Sequence, residues 1–550
     1  MEDGTKFTYR NQFGGTWSST PFDDSAKAQS YTPALNEKWD YSSDKIYGVN
    51  IGGWLHLEPF IAPAMFEPFA DSASPAIDEW SLSLALGDSL HDTMVEHYET
   101  FITEQDFAQI AGAGLNWVRL AIPFWAIETY PGEPFLEGVC WQYFLKAITW
   151  ARKYGLRINL DLHTIPGSQN GWNHSGKFGS IGFLNGVMGM ANAQRTTNYI
   201  RILTEFINQP EYRNVIPMFG IINEAQANVI GDEVIRAYYL ETYNMMREIT
   251  GVGEGNGPVI SLHDGFSGNL STWNGYLTGS DRIVMDSHPY LAFDDPNTDS
   301  WPVQMGKACD RWGPMFNLSM ANVGFTYAGE FSLGINDCGQ YLNGVTEGRR
   351  YDGTYTGFPN VTGSCDRFMD VSLWSDDFKS QVYDFALASM DTFQNWFFWT
   401  WKIGRSSVYN RVATPMWSYS LGLQEGYIPS DPRVYHGSCV AMAEKYGEPV
   451  PESVPFDGSL EPWMTGGAGA GQIAPTQLAS YAQWPPISMA NIPAPESLDA
   501  ALLPTYTATA APLTLTASPT PTTTGGAVTP VLNGPYYTPI AGCANYLDPW

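Results

Sequence analysis

Short apolar runs that alternate with amphipathic helical patterns limit the folds open to this 550-residue chain more than any other feature. The runs are rich in β-branched and aromatic residues, and often end in a polar or charged residue. They are Ile46–Ile51, Leu115–Leu120, Arg157–Leu162, Pro217–Ile222, Pro258–Leu262, Arg282–Met285, Val323–Ala328 and Trp396–Trp401. The helical patterns repeat apolar residues at i, i+3, i+4 and i+7. They cover Phe101–Ala111, Trp141–Tyr154, Ala193–Asn208, Glu233–Ile249 and Asp377–Thr392.

Buried strands that alternate with amphipathic helices are typical of parallel βαβ units. A strand count near eight favours a closed (β/α)8 TIM barrel over a doubly wound sheet. A doubly wound sheet would more often carry a Gly-rich phosphate loop after its first strand, and no such motif follows Gly52-Gly53. We therefore predict an α/β protein with a (β/α)8 catalytic barrel over residues 44–445 and long βα loops, such as Leu55–His97 and Ala292–Asn322.

The two ends of the chain differ in composition from this central part. Residues 1–43 are polar and show no sustained period, so they predict an extended N-terminal segment. Residues 446–550 form a Pro/Thr/Ala-rich C-terminal extension, which we expect to be partly disordered. Within it, the low-complexity run Thr505–Thr524 is of the kind that often carries O-glycans as a stalk, and the end Tyr536–Trp550 could dock back on the barrel.

The charge balance excludes some classes of partner. There are 28 Lys and Arg against 57 Asp and Glu, a formal net charge of −29, and no cationic cluster, so we expect no nucleic-acid partner. No apolar run reaches the ~18 residues of a membrane span, so we expect no membrane-spanning segment. Aromatic residues make up 14% of the chain, which suits a sugar-binding surface but equally an ordinary acidic secreted protein. No His/Asp/Glu set has metal-ligand spacing, so we predict neither a metal nor a cofactor.

Cysteines and sequons favour an oxidising compartment. None of the six cysteines forms a CxxC pair, and six cysteines allow 15 complete pairings. The Asn-x-Ser/Thr sequons lie at Asn173, Asn269, Asn317 and Asn360. We predict a monomer that is secreted, extracellular or in the cell wall, although residues 1–4 lack the apolar segment of a signal peptide.

Chemistry-bearing residues follow the predicted strands, whose carboxyl ends form the active-site face of a barrel. Glu224 and Glu330 lie two residues beyond the fourth and seventh runs, where we expect those strands to end. The other strand-end candidates are Arg119, His163, His288, Tyr290 and Trp399. A single acid in such a place is more often an N-cap or a turn residue. Two of them on one rim, among His, Arg and Trp, favour the acid/base and nucleophile of a glycosidase.

At these residues the chain resembles the fungal exo-β-1,3-glucanases of glycoside hydrolase family 5, from about Tyr47 to Cys439. The segments that carry the resemblance are Tyr47–Pro59, Asp161–Gly176, Ile222–Glu224, Ala328–Cys338, Gly348–Tyr351 and Trp396–Lys402. The resemblance implies a retaining enzyme that releases glucose from non-reducing ends of β-1,3-glucan, with Glu224 as acid/base and Glu330 as nucleophile. It also implies the disulfides Cys309–Cys439 and Cys338–Cys365, and leaves Cys140 and Cys543 unassigned.

The resemblance further implies a set of substrate-binding residues. Asn223 would contact the sugar 2-hydroxyl, Glu58 would close the pocket, and Trp399 would lie beneath the terminal glucose. Trp172 and Phe293 would clamp the next glucose at the entrance. The remaining members of the set are Arg119, His163, Asn173, His288, Tyr290 and Arg350.

Four departures from the family pattern keep other functions open. Trp172 replaces Phe, Asn173-His174 replaces an Asp-Asn pair, Ala225 follows the acid/base where Pro is common, and His56 stands where an apolar residue is usual. One alternative is a related β-glucosidase or diglycosidase, either rutinosidase-like or β-1,6-active. Another is a non-catalytic protein that binds wall glucan.

Overall fold

The predicted barrel is confirmed by a computed structural model, which describes residues 4, 6–267, 270–449, 456, 458–492, 502–508, 511–517, 537–538 and 550. Eight parallel strands close a barrel in chain order, with β1 hydrogen-bonded to both β2 and β8. These strands are β1 Tyr47–Ile51, β2 Trp117–Pro123, β3 Arg157–Thr164, β4 Met218–Gly220, β5 Val259–His263, β6 Ile283–Ser287, β7 Thr326–Phe331 and β8 Trp396–Phe398. A separate antiparallel pair joins β9 Thr505–Tyr506 and β10 Tyr537–Thr538.

Helices surround the barrel and fill its loops. They are α1 Pro63–Phe66, α2 Glu79–Leu86, α3 Leu90–Thr100, α4 Glu104–Gly112, α5 Val139–Tyr154, α6 Gly189–Ile207, α7 Ala227–Ile230, α8 Asp232–Thr250, α9 Trp301–Gly306, α10 Gly313–Asn322, α11 Asp376–Phe393, α12 Tyr419–Glu425, α13 Ser438–Tyr446 and α14 Pro475–Leu478. The five predicted helices correspond to α4, α5, α6, α8 and α11. Each buries an apolar stripe; in α5 it includes Phe144, Ala147, Ile148 and Ala151.

The two long βα connections are more regular than the sequence indicates. The first contains α1 and α2 and most of α3, while the second contains α9, a π-helical turn at Lys307–Trp312, and α10. In α2 and α10 the apolar residues do not lie along one side of the helix, and Leu84 of α2 and Leu318 of α10 are exposed. Periodicity therefore did not reveal them.

The N-terminal segment closes the end of the barrel where the strands begin. Trp39 packs edge-on against Trp117 of β2, with ring centroids 5.2 Å apart, in a buried cluster with Met218 and Phe397. The Arg157 guanidinium donates hydrogen bonds to the carbonyls of this segment at residues 33 and 34. With this end filled, the carboxyl ends of the strands remain for a site.

The described parts of the C-terminal extension lie against the barrel. Arg201 of α6 donates to the Leu513 carbonyl, Gln209 donates to the Leu515 carbonyl, and Tyr537 is buried beside Tyr130. Residues 518–536, which hold the rest of the low-complexity run, lie outside the described residues, as do Cys543 and the sequon at Asn269. The expected disorder, stalk and pairing of Cys543 therefore stay predictions.

Both disulfides implied by the resemblance are present. Cys309–Cys439 joins the π-helical turn to α13, and Cys338–Cys365 closes a loop after β7. Cys140 is free and buried in α5. Among the described residues, no helix is both long and apolar enough to cross a membrane.

Candidate active site

Glu224 and Glu330 meet at the carboxyl end of the barrel. Glu330 lies within β7, whereas Glu224 lies beyond the end of β4, at a backbone φ of 50° that is uncommon for a residue other than glycine. Both side chains are buried. The turn after β4 thus aims Glu224 across the barrel mouth toward β7.

His288, which follows β6, links the two carboxyl groups. Its Nδ1 lies 2.6 Å from Glu224 Oε1 and 3.5 Å from Glu330 Oε2. Because both oxygens contact the same nitrogen atom, Glu224 Oε1 and Glu330 Oε2 cannot lie farther apart than these two distances added together. This upper limit is below the ~6.5 Å minimum separation of the carboxyl groups in inverting glycosidases. The separation therefore suits a retaining mechanism.

Glu330 has the partners that an ionised carboxylate needs. Arg119 Nη1 lies 2.8 Å from Glu330 Oε1, and the Tyr290 hydroxyl donates to Oε2 at 2.9 Å. Burial raises the pKa of Glu330, but the Arg119 charge and the Tyr290 hydrogen bond lower it and so favour the ionised form.

Glu224 has less support for a negative charge. Burial raises the pKa of Glu224 well above its usual value, and the nearby Glu330 carboxylate raises it further. Glu330 therefore ionises first, and its charge keeps the proton on Glu224. The pair can supply one carboxylate and one carboxylic acid together.

Arg119 organises the wall behind this pair. Its Nη2 donates to Asn223 Oδ1 at 2.8 Å and lies 3.1 Å from Asp161 Oδ1. Because the Asn223 oxygen is held by Arg119, its amide nitrogen faces His163, 3.4 Å from Nε2. His163 in turn contacts Asp161 at 2.6 Å through Nδ1 and stacks on Trp399 with ring centroids 5.4 Å apart.

A cavity of about 700 Å³ opens over these groups. Most of the predicted site residues line it: Glu58, His163, Trp172, Asn173, Glu224, His288, Tyr290, Phe293, Glu330, Arg350 and Trp399. The two others, Arg119 and Asn223, lie buried behind its wall. Asn223 adjoins the lining residues Glu224 and His163 rather than forming part of the lining.

The cavity mouth is aromatic. Trp172 is 38% exposed and Phe293 is 49% exposed, as expected for an entrance pair. Phe293 is backed by Trp417, whose ring centroid lies 6.0 Å away, and Phe266 packs against Trp172 at 5.6 Å. Trp417 and Phe266 were not predicted, because they lie in the connections after β8 and β5, and only the folded chain places these connections at the mouth.

His174 is a further site residue that the sequence did not single out as a contact of the carboxyl pair. Its Nε2 lies 3.3 Å from Glu224 Oε2, so Glu224 has a histidine at each oxygen. Burial, and then the nearby His163, hold the pKa of His174 well below its usual value. The only sequence signal was its departure from the family pattern.

Two groups of buried side chains bring potential metal ligands together, contrary to the indication from sequence spacing. In each, the ligand atoms lie within 4.8 Å of one another. One group is Glu224, His263 and His288, and the other is His56, Glu58 and His163. Sequence spacing could not indicate them, because each group joins residues from separate strand ends: β1 and β3 in one group, and β4, β5 and β6 in the other.

Comparisons with known proteins show the family to which the chain belongs. The family described as Cellulase (glycosyl hydrolase family 5) matches residues 85–347. A protein named "Probable glucan 1,3-beta-glucosidase D" from Aspergillus niger is 38% identical over 432 residues, which are 75% of this chain and 50% of the relative. The chain carries a glycoside hydrolase family 5 domain. The family predicted from the sequence is confirmed.

A second curated relative and a solved structure are also similar to this family 5 chain. The Aspergillus fumigatus protein of the same name is 37% identical over 455 residues, which are 78% of this chain and 53% of the relative. The chain thus spans about half the length of the curated relatives it matches. A solved structure titled "Crystal structure of rutinosidase from Aspergillus niger" has a TM-score of 0.52 at 20% identity, covering 71% of this chain and 99% of that chain, and supports the fold.

Proposed function

We propose that this family 5 domain is a retaining exo-glycosidase that releases glucose from the non-reducing ends of β-1,3-glucan. The observation that carries the proposal is the Glu224–His288–Glu330 arrangement. The two carboxyl groups lie close together, and within the described part of the chain only Glu330 contacts an arginine that stabilises its negative charge. The names of the similar fungal proteins favour the same substrate class.

The proposed reaction is a double displacement. Ionised Glu330 attacks the anomeric carbon while protonated Glu224 gives its proton to the leaving oxygen, which yields a covalent glycosyl-enzyme. Glu224, now a carboxylate, then takes a proton from water, whose oxygen displaces Glu330 with net retention. Tyr290 and Arg119 hold the nucleophile in place, since both contact it at hydrogen-bond distance.

Exo action follows from the proposed sugar positions. Glu58 and His163 are buried at the cavity wall and would bind hydroxyls of the terminal glucose, with Trp399 as its platform. Asn223 would reach the 2-hydroxyl from behind the wall, and Asn173 and Arg350 would contribute polar contacts. Trp172 and Phe293, half exposed at the mouth, would hold the next glucose between them.

Digestion of laminarin followed by NMR tests linkage, exo action and retention in one experiment. We expect glucose as the first product, with its β-anomer in excess before mutarotation. The Glu330→Gln variant should lose about 10⁴-fold or more in kcat, since the nucleophile is removed. If the parent released longer oligosaccharides or the α-anomer first, the proposal would be wrong.

A related activity on another β-glucoside is the second candidate, as a rutinosidase-like diglycosidase or a β-1,6-active glucosidase. It is favoured by the altered Trp172-Asn173-His174 segment and by Phe266 beside Trp172, which change the acceptor side of the mouth. Rates on rutin, gentiobiose and laminaribiose separate these activities. A third candidate function is that of a non-catalytic glucan-binding protein. It would require that the protein binds glucan but does not hydrolyse it.

We also propose that the protein acts outside the cell, as a monomer, in or near the wall. The two disulfides favour an oxidising compartment, where such bonds persist. Fractionation of culture medium, wall and cells tests the location. Light scattering of the purified protein tests the monomer.

A further inference from the structure

His56 occupies an unusual buried position beside the cavity floor. It follows β1, its side chain is fully buried, and neither ring nitrogen has a hydrogen-bond partner among the residues that the structure describes. His56 does not line the cavity, and neither of its ring nitrogens is exposed to it. Buried polar groups without partners are rare, because losing water without replacement costs free energy.

Two potential ligands lie next to His56. Glu58 Oε1 is also buried without a hydrogen-bond partner, and the ring of His163 lies 5.0 Å from that of His56. One ligand atom from each of the three residues falls within 4.8 Å of the other two. In a tetrahedral zinc site the ligand atoms lie roughly 3.4 Å apart, so zinc binding would draw these side chains closer together.

A carboxylate lies near the Nδ1 atom of each histidine in this group. Asp161 Oδ2 is at hydrogen-bond distance from His163 Nδ1, 2.6 Å, whereas Glu79 Oε2 lies 3.6 Å from His56 Nδ1, just beyond that distance. Glu79 is itself held by the Leu57 amide, which donates to it at 2.6 Å. Metal-binding histidines commonly have such a carboxylate behind them, because it fixes the ring and raises the basicity of the other nitrogen.

We propose that His56, Glu58 and His163 form a binding site for a divalent transition-metal ion, with Zn²⁺ as the best fit. Two imidazoles and one carboxylate are a ligand set that zinc uses, whereas Mg²⁺ and Ca²⁺ prefer oxygen ligands. A sugar hydroxyl could satisfy Glu58 and His163, but only a group behind the cavity wall could satisfy His56. The fourth position would hold a water molecule.

Occupancy would regulate the sugar site. Glu58 and His163 are the cavity-wall residues that the proposed function assigns to hydroxyls of the terminal glucose, and the ion would engage both. Zn²⁺ should therefore weaken sugar binding without entering between Glu224 and Glu330. This consequence rests on the proposed function, whereas metal binding itself does not.

Calorimetric titration of the metal-stripped full chain with Zn²⁺ tests the site, with Co²⁺ absorption as a second probe. We expect one ion per chain and a visible band of tetrahedral Co²⁺. His56→Leu should weaken Zn²⁺ binding at least tenfold. The matched control His91→Ala removes an exposed histidine of α3 and should leave binding unchanged.

Equal zinc affinity in the parent and His56→Leu, or no zinc binding by the parent, would overturn the site and leave a buried water as the partner of His56. A His56→Gln variant and far-UV circular dichroism separate lost binding from lost folding. With laminaribiose as substrate, Zn²⁺ should raise KM with kcat unchanged in the parent only. Zinc binding without any hydrolysis would instead count against the proposed function alone.

Discussion

At the scale of single residues, neighbours decide which central carboxyl group carries charge. Glu330 touches a guanidinium and a phenol, whereas Glu224 lies between the two histidines His174 and His288. Burial, followed by the nearby His263 and Arg119, holds the pKa of His288 well below its usual value, so its ring is neutral. A neutral ring can donate to or accept from Glu224, as each step of the reaction requires.

Replacing Glu224 by Gln should stabilise the protein at neutral pH. The folded-state pKa of Glu224 lies well above the ordinary 4.5, so the folded protein holds a proton that the unfolded chain releases. Stability from this group is complete below pH 4.5 and declines as pH rises above it. We expect Glu224→Gln to raise Tm by about 1–3 °C at pH 7 and to change it little at pH 4.

Thermal unfolding of parent and variant at both pH values checks this, and an equal shift at both would contradict it. The Glu330→Gln variant serves as the control for this Tm shift. It removes the carboxylate from buried Arg119, so its gain at pH 7 should be smaller or absent.

Removing His174 should impair proton donation more than nucleophilic attack. The His174→Ala variant loses the contact to Glu224 Oε2, so the acid is less well placed. We expect kcat on laminaribiose to fall about tenfold or more, and kcat on an aryl glucoside with an acidic leaving group to fall less. Steady-state rates on both substrates, with their pH profiles, make the test. Equal losses on the two substrates would point to a purely structural role.

At the scale of elements, strand ends and the connections after them build the site. The apolar runs marked where each strand lies, and Glu330 was correctly placed on β7. Glu224 falls past β4, since the hydrogen-bonded ladder of β4 ends at Gly220. The helices α2, α9 and α10 were not predicted, because α9 is only 6 residues long and the apolar residues of α2 and α10 do not lie along one side of the helix.

The two disulfides should contribute unequally to stability. Cys309–Cys439 spans 130 residues, while Cys338–Cys365 spans 27. Chain-entropy arguments give about 5 kcal/mol for the first and about 3.5 kcal/mol for the second. We expect the Cys309→Ser/Cys439→Ser double variant to lower the free energy of unfolding more than Cys338→Ser/Cys365→Ser does. Denaturant titration of both variants checks the order, and the reverse order would contradict it.

At the scale of the whole molecule, the ends of the chain pack against the barrel. The segment around Trp39 fills the barrel end opposite the site, and the extension lies along α6. Leu503 and Tyr537 are buried in these contacts. The N-terminal segment is polar and the extension is rich in Pro, Thr and Ala, so neither shows the hydrophobic periodicity by which the barrel was predicted.

Truncation of the extension should separate stability from catalysis. A chain ending after residue 492 loses the contacts of Leu503 and Tyr537 and the partners of Arg201 and Gln209. We expect Tm to fall by a few degrees, about the effect of losing a few kcal/mol. The kcat on laminaribiose should stay within about twofold, because no described residue beyond 492 lines the cavity. An unchanged Tm would show that these contacts add nothing.

The sequence alone determined the barrel, five outer helices, the family and most of the cavity lining. The period of the hydrophobic residues and the polar residues at strand ends are local features of the sequence. The family resemblance then predicted the role of each site residue. Tertiary structure decided the rest, because distance across the barrel mouth is not encoded in any local pattern. It alone brought His174 to Glu224, placed Trp417 behind Phe293, and joined His56 to Glu58 and His163.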